Sequence, residues 1–354
     1  MKTVFLVLAW LCIAATAAPL IRLDDWWIRA FDFPRLQILL GGLLICAIFL
    51  VFWSTTSLRD NLTLGVLVLC LFFQGFKVYP YTPLAAPQVL HDQAHVADSQ
   101  LSLLIANVLM ENRQAQQLLH MVRDANPDLL LLVETDTWWE QQLRPLEAEY
   151  VYTVKQPQAN HYGMVLYSRL KLVNPEIKFL VSTDIPSIHT QVALPAGALL
   201  WLHCLHPEPP SPSGAEESTQ RDAELLIVGR KVKQQDEPVI VAGDLNDVAW
   251  SYTTALFQKA SGLLDPRIGR GMYNSYHAKN IIMRWPLDHV FHSNHFLLRT
   301  LRLLPAFGSD HFPVYIALSL APQAEVLQEE PQLDADEAEQ VEEKIDQVEQ
   351  KDKL

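Results

Sequence analysis

Cysteine is scarce in this chain: four residues in 354. Cys12, Cys46 and Cys70 lie in strongly apolar runs, and Cys204 stands alone in the polar remainder. A disulfide framework is excluded on that count, while a lone buried thiol suits either redox compartment. A Lys/Arg-rich block is missing too. The net charge is −13, but residues 325–354 hold 12 acidic and 3 basic side chains, so this tail accounts for −9 and leaves −4 for residues 1–324. Tight nucleic-acid binding calls for a basic surface. Its absence disfavours a DNA or RNA ligand without excluding one. No internal repeat occurs, and the tail has no aromatic residue.

What the chain has instead is apolar length. Half of its residues are hydrophobic, enough for a sizeable core in one large domain or two. Three runs, Thr3–Leu20, Gln37–Trp53 and Leu62–Tyr79, are apolar on all faces. A helix of 18 residues spans roughly 27 Å, close to a bilayer core, so residues 1–79 read as three transmembrane helices rather than buried soluble ones. Lys2, the first run and Ala15-Thr16-Ala17 also resemble a signal peptide. Two further runs follow at once, which favours an uncleaved span. The link Ile21–Leu36 carries Trp26, Trp27, Arg22, Arg29 and Arg35, a composition suited to a membrane–water interface. Its three arginines argue for a cytoplasmic loop, and Lys2 with Arg59 for the opposite. The signal-like start tips the expectation towards a large domain outside.

Residues 80–100, with Pro80, Pro83 and Pro87, read as a linker. From Leu101 to Ala321 apolar strands alternate with helices, the pattern of an α/β domain. Strands are expected at Leu101–Val108, Leu129–Val133, Met164–Ser168, Leu199–His203, Val239–Ala242, Pro286–Phe291 and Val314–Leu320. Helices are expected after Asn112 and from a capping box, Thr219 with Asp222, to about Gln235. Residues 322–354 read as an acidic tail, either disordered or a solvated helix.

The strands share a feature: each ends in a polar group. Asn107 closes the first and Glu134 the second. His206 follows Trp201–Leu205. In PVIVAGDLND, Asp244 and Asn246 follow Val239–Gly243. Asp288 and His289 interrupt Pro286–Phe291, and Ser309-Asp310-His311 precedes the last strand. Burying these groups singly would be costly. Gathered together, they would suit a divalent cation and an anionic substrate. Each also has an ordinary reading: a helix cap for Glu134, a strand-end turn for Asn107, a loop histidine for His206. His289, His292 and His295, three apart, invite a zinc reading that an alternating strand would not support.

Asn107, Glu134, the GDLN run, Leu287-Asp288 and Ser309-Asp310-His311 resemble, in order and setting, the endonuclease/exonuclease/phosphatase superfamily of metal-dependent phosphoesterases. The likeness covers about residues 100–320. The apolar start and the His206-Pro207 loop are similar to a bacterial membrane-anchored branch. The resemblance implies two stacked mixed β-sheets flanked by helices, a four-layer α/β sandwich. It implies Mg²⁺, with Mn²⁺ as a substitute, held by Glu134, Asn107 and Asp310. Asp244 would activate a water, Asn246 would donate to phosphoryl oxygens, His311 and His206 would flank the phosphate, and Asp288 would hold His311. Two positions depart from many relatives: Leu109 stands where a second acid is common, and His289 where an aromatic is.

The expected function is a membrane-anchored Mg²⁺-dependent phosphoesterase acting on a phosphate-containing substrate, with an envelope lipid as one candidate and the bilayer as a partner. The expected place is the bacterial inner membrane, multi-pass, with the catalytic domain extracytoplasmic. A nuclease acting on DNA or RNA is the alternative. A non-catalytic scaffold whose acidic tail recruits a partner is a third reading. Tyr162-Gly163 and Arg221 are further candidates for the mouth of the site.

Overall fold

The computed structural model describes residues 2–52, 57–92, 99–211, 215–321 and 323–351. Helices α1 (Lys2–Ala17), α3 (Arg35–Phe52) and α4 (Leu58–Val78) pack around Ala9, Ile13, Cys46, Leu67 and Leu71. Thr3–Leu20, which is α1 with its following turn, and Leu58–Tyr81, which contains α4, are long and apolar enough to cross a membrane. α3 passes the same test together with α2 (Trp26–Arg29) and its following turn, across a 68° bend. Trp53, the expected end of this run, lies outside the described residues. Gln74 Nε2 donates to Thr16 Oγ1 at 3.1 Å, and Arg35 Nη1 donates to Gln74 Oε1 at 3.3 Å. The end of α1, the start of α3 and the end of α4 therefore share one end of the bundle.

The rest is a four-layer sandwich. One sheet orders its strands β10-β11-β1-β2-β4-β3 and the other β5-β6-β7-β8-β9. The first contains β1 (Gln100–Asn107), β2 (Leu129–Val133), β3 (Tyr152–Gln156), β4 (Met164–Ser168), β10 (Phe296–Leu303) and β11 (Val314–Leu320). The second contains β5 (Lys171–Lys178), β6 (Ser187–Ala193), β7 (Leu199–Leu205), β8 (Val239–Asp244) and β9 (Asp288–His292). Side chains alternate along a strand. Leu103, Ile105, Leu129 and Leu131 enter the core between the sheets, against Leu202 and Ile240. Leu104, Ala106, Leu130 and Leu132 face outward, under α5 (Ala115–Ala125) and α6 (Thr137–Leu143). Val239, Val241 and Leu205 pack under α7 (Thr219–Lys233) and α8 (Tyr252–Ser261). Burial on both faces is why these strands read as unbroken apolar runs.

Three expectations need correction. Of the stretch taken as a linker, residues 80–92 are packed, while 93–98 lie outside the described residues: Val89 is wholly buried in the inter-sheet core, and Tyr81 Oη donates to the Ala249 carbonyl at 2.6 Å. Among its described residues, 323–351, the tail is largely helical, as one of the two readings had it, but docked rather than solvated. After the short α9 (Ala324–Leu327), α10 (Ala335–Lys351) docks on α7 and α8 through Val341 and Ile345. Its acids meet cations of those helices, with Glu342 2.7 Å from Arg230 and Glu337 2.5 Å from Lys259. The reciprocal box at Thr219 does not form, because Asp222 is taken by Arg221 at 2.8 Å and by Lys344 at 3.0 Å.

Candidate active site

Two parallel strand pairs position the polar residues. β1 runs beside β2 with Asn107 opposite Val133, and β7 runs beside β8 with Leu205 opposite Gly243. Their carboxyl ends meet across the two sheets, so Asn107, Glu134, His206 and Asp244 emerge in one place. Antiparallel β9 sets Asp288 opposite Asp244. The backbone is forced there: Glu134 and Asn246 have φ of 59° and 52°, a left-handed conformation costly for any residue but glycine. Gly243, at φ 150°, cannot be replaced, since a Cβ would lie 1.8 Å from the Leu205 carbonyl oxygen.

Asn107 is the hub. Its Nδ2 donates to Glu134 Oε1 at 2.7 Å and to Asp244 Oδ2 at 3.0 Å, while its Oδ1 accepts from the Leu109 amide at 2.9 Å. The Asn246 amide donates to Asp244 Oδ1 at 3.1 Å. His206 Nδ1 meets the Asp244 carbonyl at 3.1 Å, so that nitrogen carries the proton. Burial raises the Asp244 pKa against the pull of His311, and Asp288 adds to the rise. His311 Nδ1 sits 2.7 Å from Asp288 Oδ2, and its Nε2 sits 3.6 Å from Asp244 Oδ2. Burial alone would lower the pKa of His311, but Asp288, Asp244 and Asp310 reverse this and push it up to about 10. The surrounding carboxylates therefore favour the imidazolium form of His311.

Asp310 does not contact Glu134 or Asn107 in the same way. Its Oδ1 lies 3.5 Å from Ser309 Oγ, and its carbonyl accepts from the Ala278 amide at 2.6 Å. Ser309 braces the motif: its Oγ donates to the Asn107 carbonyl at 2.8 Å and accepts from the His311 amide at 3.0 Å. Of the guessed residues, Arg221 is buried behind the site and donates to the Asn246 carbonyl at 2.9 Å. The Tyr162 ring lies 5.8 Å from that of His206. Gly163 backs Glu134, since a Cβ there would strike the Thr135 carbonyl.

The donors suit a hard divalent cation. Glu134 and Asp244 share one amide, Asp288 Oδ1 is buried with no hydrogen-bond partner among the described residues, and the basic groups beside the cluster are imidazoles: His311 against Asp288 and Asp244, and His161 3.4 Å from Glu134. Asp244, Asp288 and His311 form a group whose ligating atoms lie within 4.8 Å of one another. The short contact with His311 commits one oxygen of Asp288, and the Asn107 oxygen is held by the Leu109 amide, so the Glu134 carboxylate and the second Asp288 oxygen are the oxygen donors best placed for a cation.

The histidines spaced three apart do not gather. His289 accepts from Arg267 at 2.7 Å and donates to the Asp247 carbonyl at 2.8 Å, whereas His292 and His295 turn to Ser293. Sequence reasoning missed Tyr276, whose ring lies 5.0 Å from His311, and Ser275, whose Oγ accepts from the Asp288 amide at 3.1 Å. Neither sits at the end of a strand. It also missed Asp247, although this residue closes the GDLND run. Asp247 lies 3.4 Å from Arg221 and accepts from Ser251 Oγ at 2.6 Å.

Residues 104–311, more than half of the chain, match the family described as Endonuclease/Exonuclease/phosphatase family, and the chain belongs to it. A UPF0294 protein of Vibrio campbellii (strain ATCC BAA-1116) is 25% identical over 266 residues, covering 67% of this chain and 82% of that protein. The fold is similar to D. rerio TDP2 complexed with single strand DNA product (TM-score 0.53, 21% identity, 63% of this chain and 100% of the other). It is also similar to the human Nocturnin catalytic domain with bound sulfate anion (TM-score 0.52, 18% identity, 64% and 95%).

Proposed function

We propose that this member of the Endonuclease/Exonuclease/phosphatase family is a membrane-anchored, Mg²⁺-dependent phosphoesterase. The observation that carries the reading is the continuous chain of hydrogen bonds and ion pairs from Glu134 through Asn107 and Asp244 to His311 and Asp288. Glu134 and Asn107 would hold the cation, with Asp310 completing its acidic surroundings. When bound, the cation supplies Lewis-acid polarisation of a phosphoryl oxygen. Asp244, its basicity raised by burial, takes the proton of the attacking water. His311 and His206 flank the phosphoryl group, and the His311 charge offsets the negative charge that builds on it. Asp288 holds one ring nitrogen of His311, so that Nε2–H points into the site. Asn246 has one Nδ2 hydrogen on the Pro207 carbonyl at 2.9 Å and a second for a non-bridging oxygen.

The full-length protein, purified in nanodiscs, is expected to hydrolyse bis(p-nitrophenyl) phosphate with Mg²⁺ and to stop with excess EDTA. Glu134→Gln should lower kcat on the order of 100-fold or more. Undiminished turnover after Glu134→Ala or in EDTA would defeat the proposal.

A phosphorylated membrane lipid is the favoured substrate. Trp250 Nε1, four residues past Asn246, donates to the Asp32 carbonyl at 2.8 Å, and Phe33 packs edge-on to Trp285 at 5.5 Å. The loops of the site thus lie against the segment that leads into α3. Single-stranded nucleic acid is the second reading, because the D. rerio TDP2 structure is described with a single strand DNA product. Plasmid and oligonucleotide cleavage with a steep salt dependence would favour it.

We place the catalytic domain outside a bacterial inner membrane. The arginines that argued for a cytoplasmic first loop, and so against this placement, weigh less than their number implies. Arg29 lies 3.6 Å from Asp24, and Arg35 lies 2.5 Å from Asp32, so much of their charge is neutralised. A carboxyl-terminal reporter fusion active only in the cytoplasm would reverse the assignment.

A further inference from the structure

Between the membrane-leading segment and the catalytic loops lies a cavity of about 360 Å³. Trp26, Phe33 and Pro34 line one wall, and Pro210, Met283 and Trp285 line the other. Its walls are almost wholly apolar, and two aromatic rings, Trp285 and Tyr276, separate it from His311. Both catalytic walls lead back to the candidate active site. Pro210 ends the stiff run that starts at His206. Trp285 stacks on Tyr276 with centroids 6.1 Å apart, and Tyr276 lies 5.0 Å from the His311 ring. The opposite wall leads to the bundle, since Phe33 and Pro34 immediately precede α3. Gln37, in the first turn of α3, donates to the Ile282 carbonyl at 2.7 Å. The loop so tethered exposes Ile281, Ile282 and Met283 at 80%, 72% and 52%. Adjacent apolar side chains this exposed, beside a helix of membrane composition, mark a surface that meets hydrocarbon.

We propose that this cavity is a chain-binding subsite: it takes the first part of the hydrocarbon chain of a phosphorylated membrane lipid, whose phosphate lies between His206 and His311. The proposal rests on the phosphoesterase reading and narrows it to amphiphilic substrates. A cavity of this size falls in the range of small-ligand sites. It would let the lipid remain partly in the bilayer while its phosphate reaches the buried polar cluster. Selectivity would come from the chain, because each methylene removed from water favours binding by about threefold to fourfold.

The test uses the full chain in nanodiscs and a series of p-nitrophenyl alkyl phosphodiesters from methyl to octyl. A parallel binding arm uses an octyl phosphate carrying a terminal diazirine, cross-linked by light and mapped by mass spectrometry. Expected are kcat/KM values rising about threefold per methylene up to a plateau, and adducts on the peptides holding Trp26–Pro34 and Met283–Trp285. Ala30→Trp, which fills the cavity from its rim, should bring the octyl-to-methyl ratio close to one. Met283→Glu, in an exposed loop, should lower the same ratio. Equal turnover across the series would overturn the subsite and leave the phosphoesterase intact. No turnover of even the methyl ester would refute the phosphoesterase reading instead. The cross-linking arm decides the subsite independently: adducts confined to the outer faces of α1 and α4 would overturn it.

Discussion

At the scale of single residues, the site depends on groups that do not react. Arg221 touches no expected substrate position, yet it fixes the backbone carbonyl of Asn246 and is itself held by Asp222 and Asp247. A lysine cannot reproduce that planar fork. Arg221→Lys is therefore expected to lower kcat about tenfold with KM little changed, as steady-state kinetics would show. If KM rises alone, the positioning role is wrong. Glu224 is a different case. It is buried, its Oε1 has no hydrogen-bond partner among the described residues, and burial raises its pKa from 4.5 to about 8. The folded state therefore holds a proton that the unfolded state has lost, and stability falls as pH rises from about 4.5 to about 8. Glu224→Gln should leave the melting temperature unchanged at pH 4 and raise it progressively towards pH 8. The gain at pH 7 is on the order of 2–3 kcal/mol. A pH-independent difference in thermal melts would contradict this. The His189–His203 pair works in the opposite direction. Burial lowers the pKa of His189 from 6.5 to about 2 and that of His203 to about 4. Its contribution is whole above pH 6.5 and is lost as pH falls towards 4.

At the scale of elements, α10 joins parts far apart in the chain. Lys344 Nζ lies 2.8 Å from Asp24, just ahead of α2, and 3.0 Å from Asp222 on α7. Removing the lysine leaves Asp222 buried with Arg221 as its remaining cation. Lys344→Met is expected to cost about 1–3 kcal/mol in denaturant unfolding, and Ile345→Asp more, because the docking face itself becomes charged. A tail that only recruits a partner predicts no stability change from either substitution. The amphipathic signal was present in the sequence: Val341, Ile345 and Val348 recur at i, i+4 and i+7, the spacing of one helix face. It was hidden under a run of acids whose partners, Arg230 and Lys259, lie 112 and 78 residues earlier in the chain.

At the scale of the whole molecule, the catalytic sandwich does not begin where the strand pattern begins. Val89 fills the inter-sheet core, and Tyr81 packs edge-on to Trp250 at 5.8 Å. A soluble fragment starting at residue 80 should be more stable than one starting at 100 by about 2–4 kcal/mol, from the burial of these two side chains. Equal stability of the two in urea titrations would show residues 80–99 to be a true linker. Even the longer fragment leaves Trp250 and Trp285 without Phe33 and the Asp32 carbonyl. It is therefore expected to float with liposomes less than the full chain and to aggregate more.

The sequence by itself determined the layers. Strands buried on both faces must be continuous apolar runs, and runs apolar all round over about 18 residues read as helices long enough to cross a bilayer, so both can be read from neighbours along the chain. It also marked Asn107, Glu134, Asp244, Asp288 and His311, because a polar residue closing an apolar strand is a local event. Only the tertiary structure decided how they meet. Asn107 and Asp244 are 137 positions apart, and their contact depends on the register of two parallel strand pairs in different sheets. It decided as well that Asp310 turns to Ser309, that His289 serves Arg267, and that an acidic tail is a docked helix. In each case the partner comes from another element, and no spacing along the chain encodes a contact that exists only once the sheets have packed.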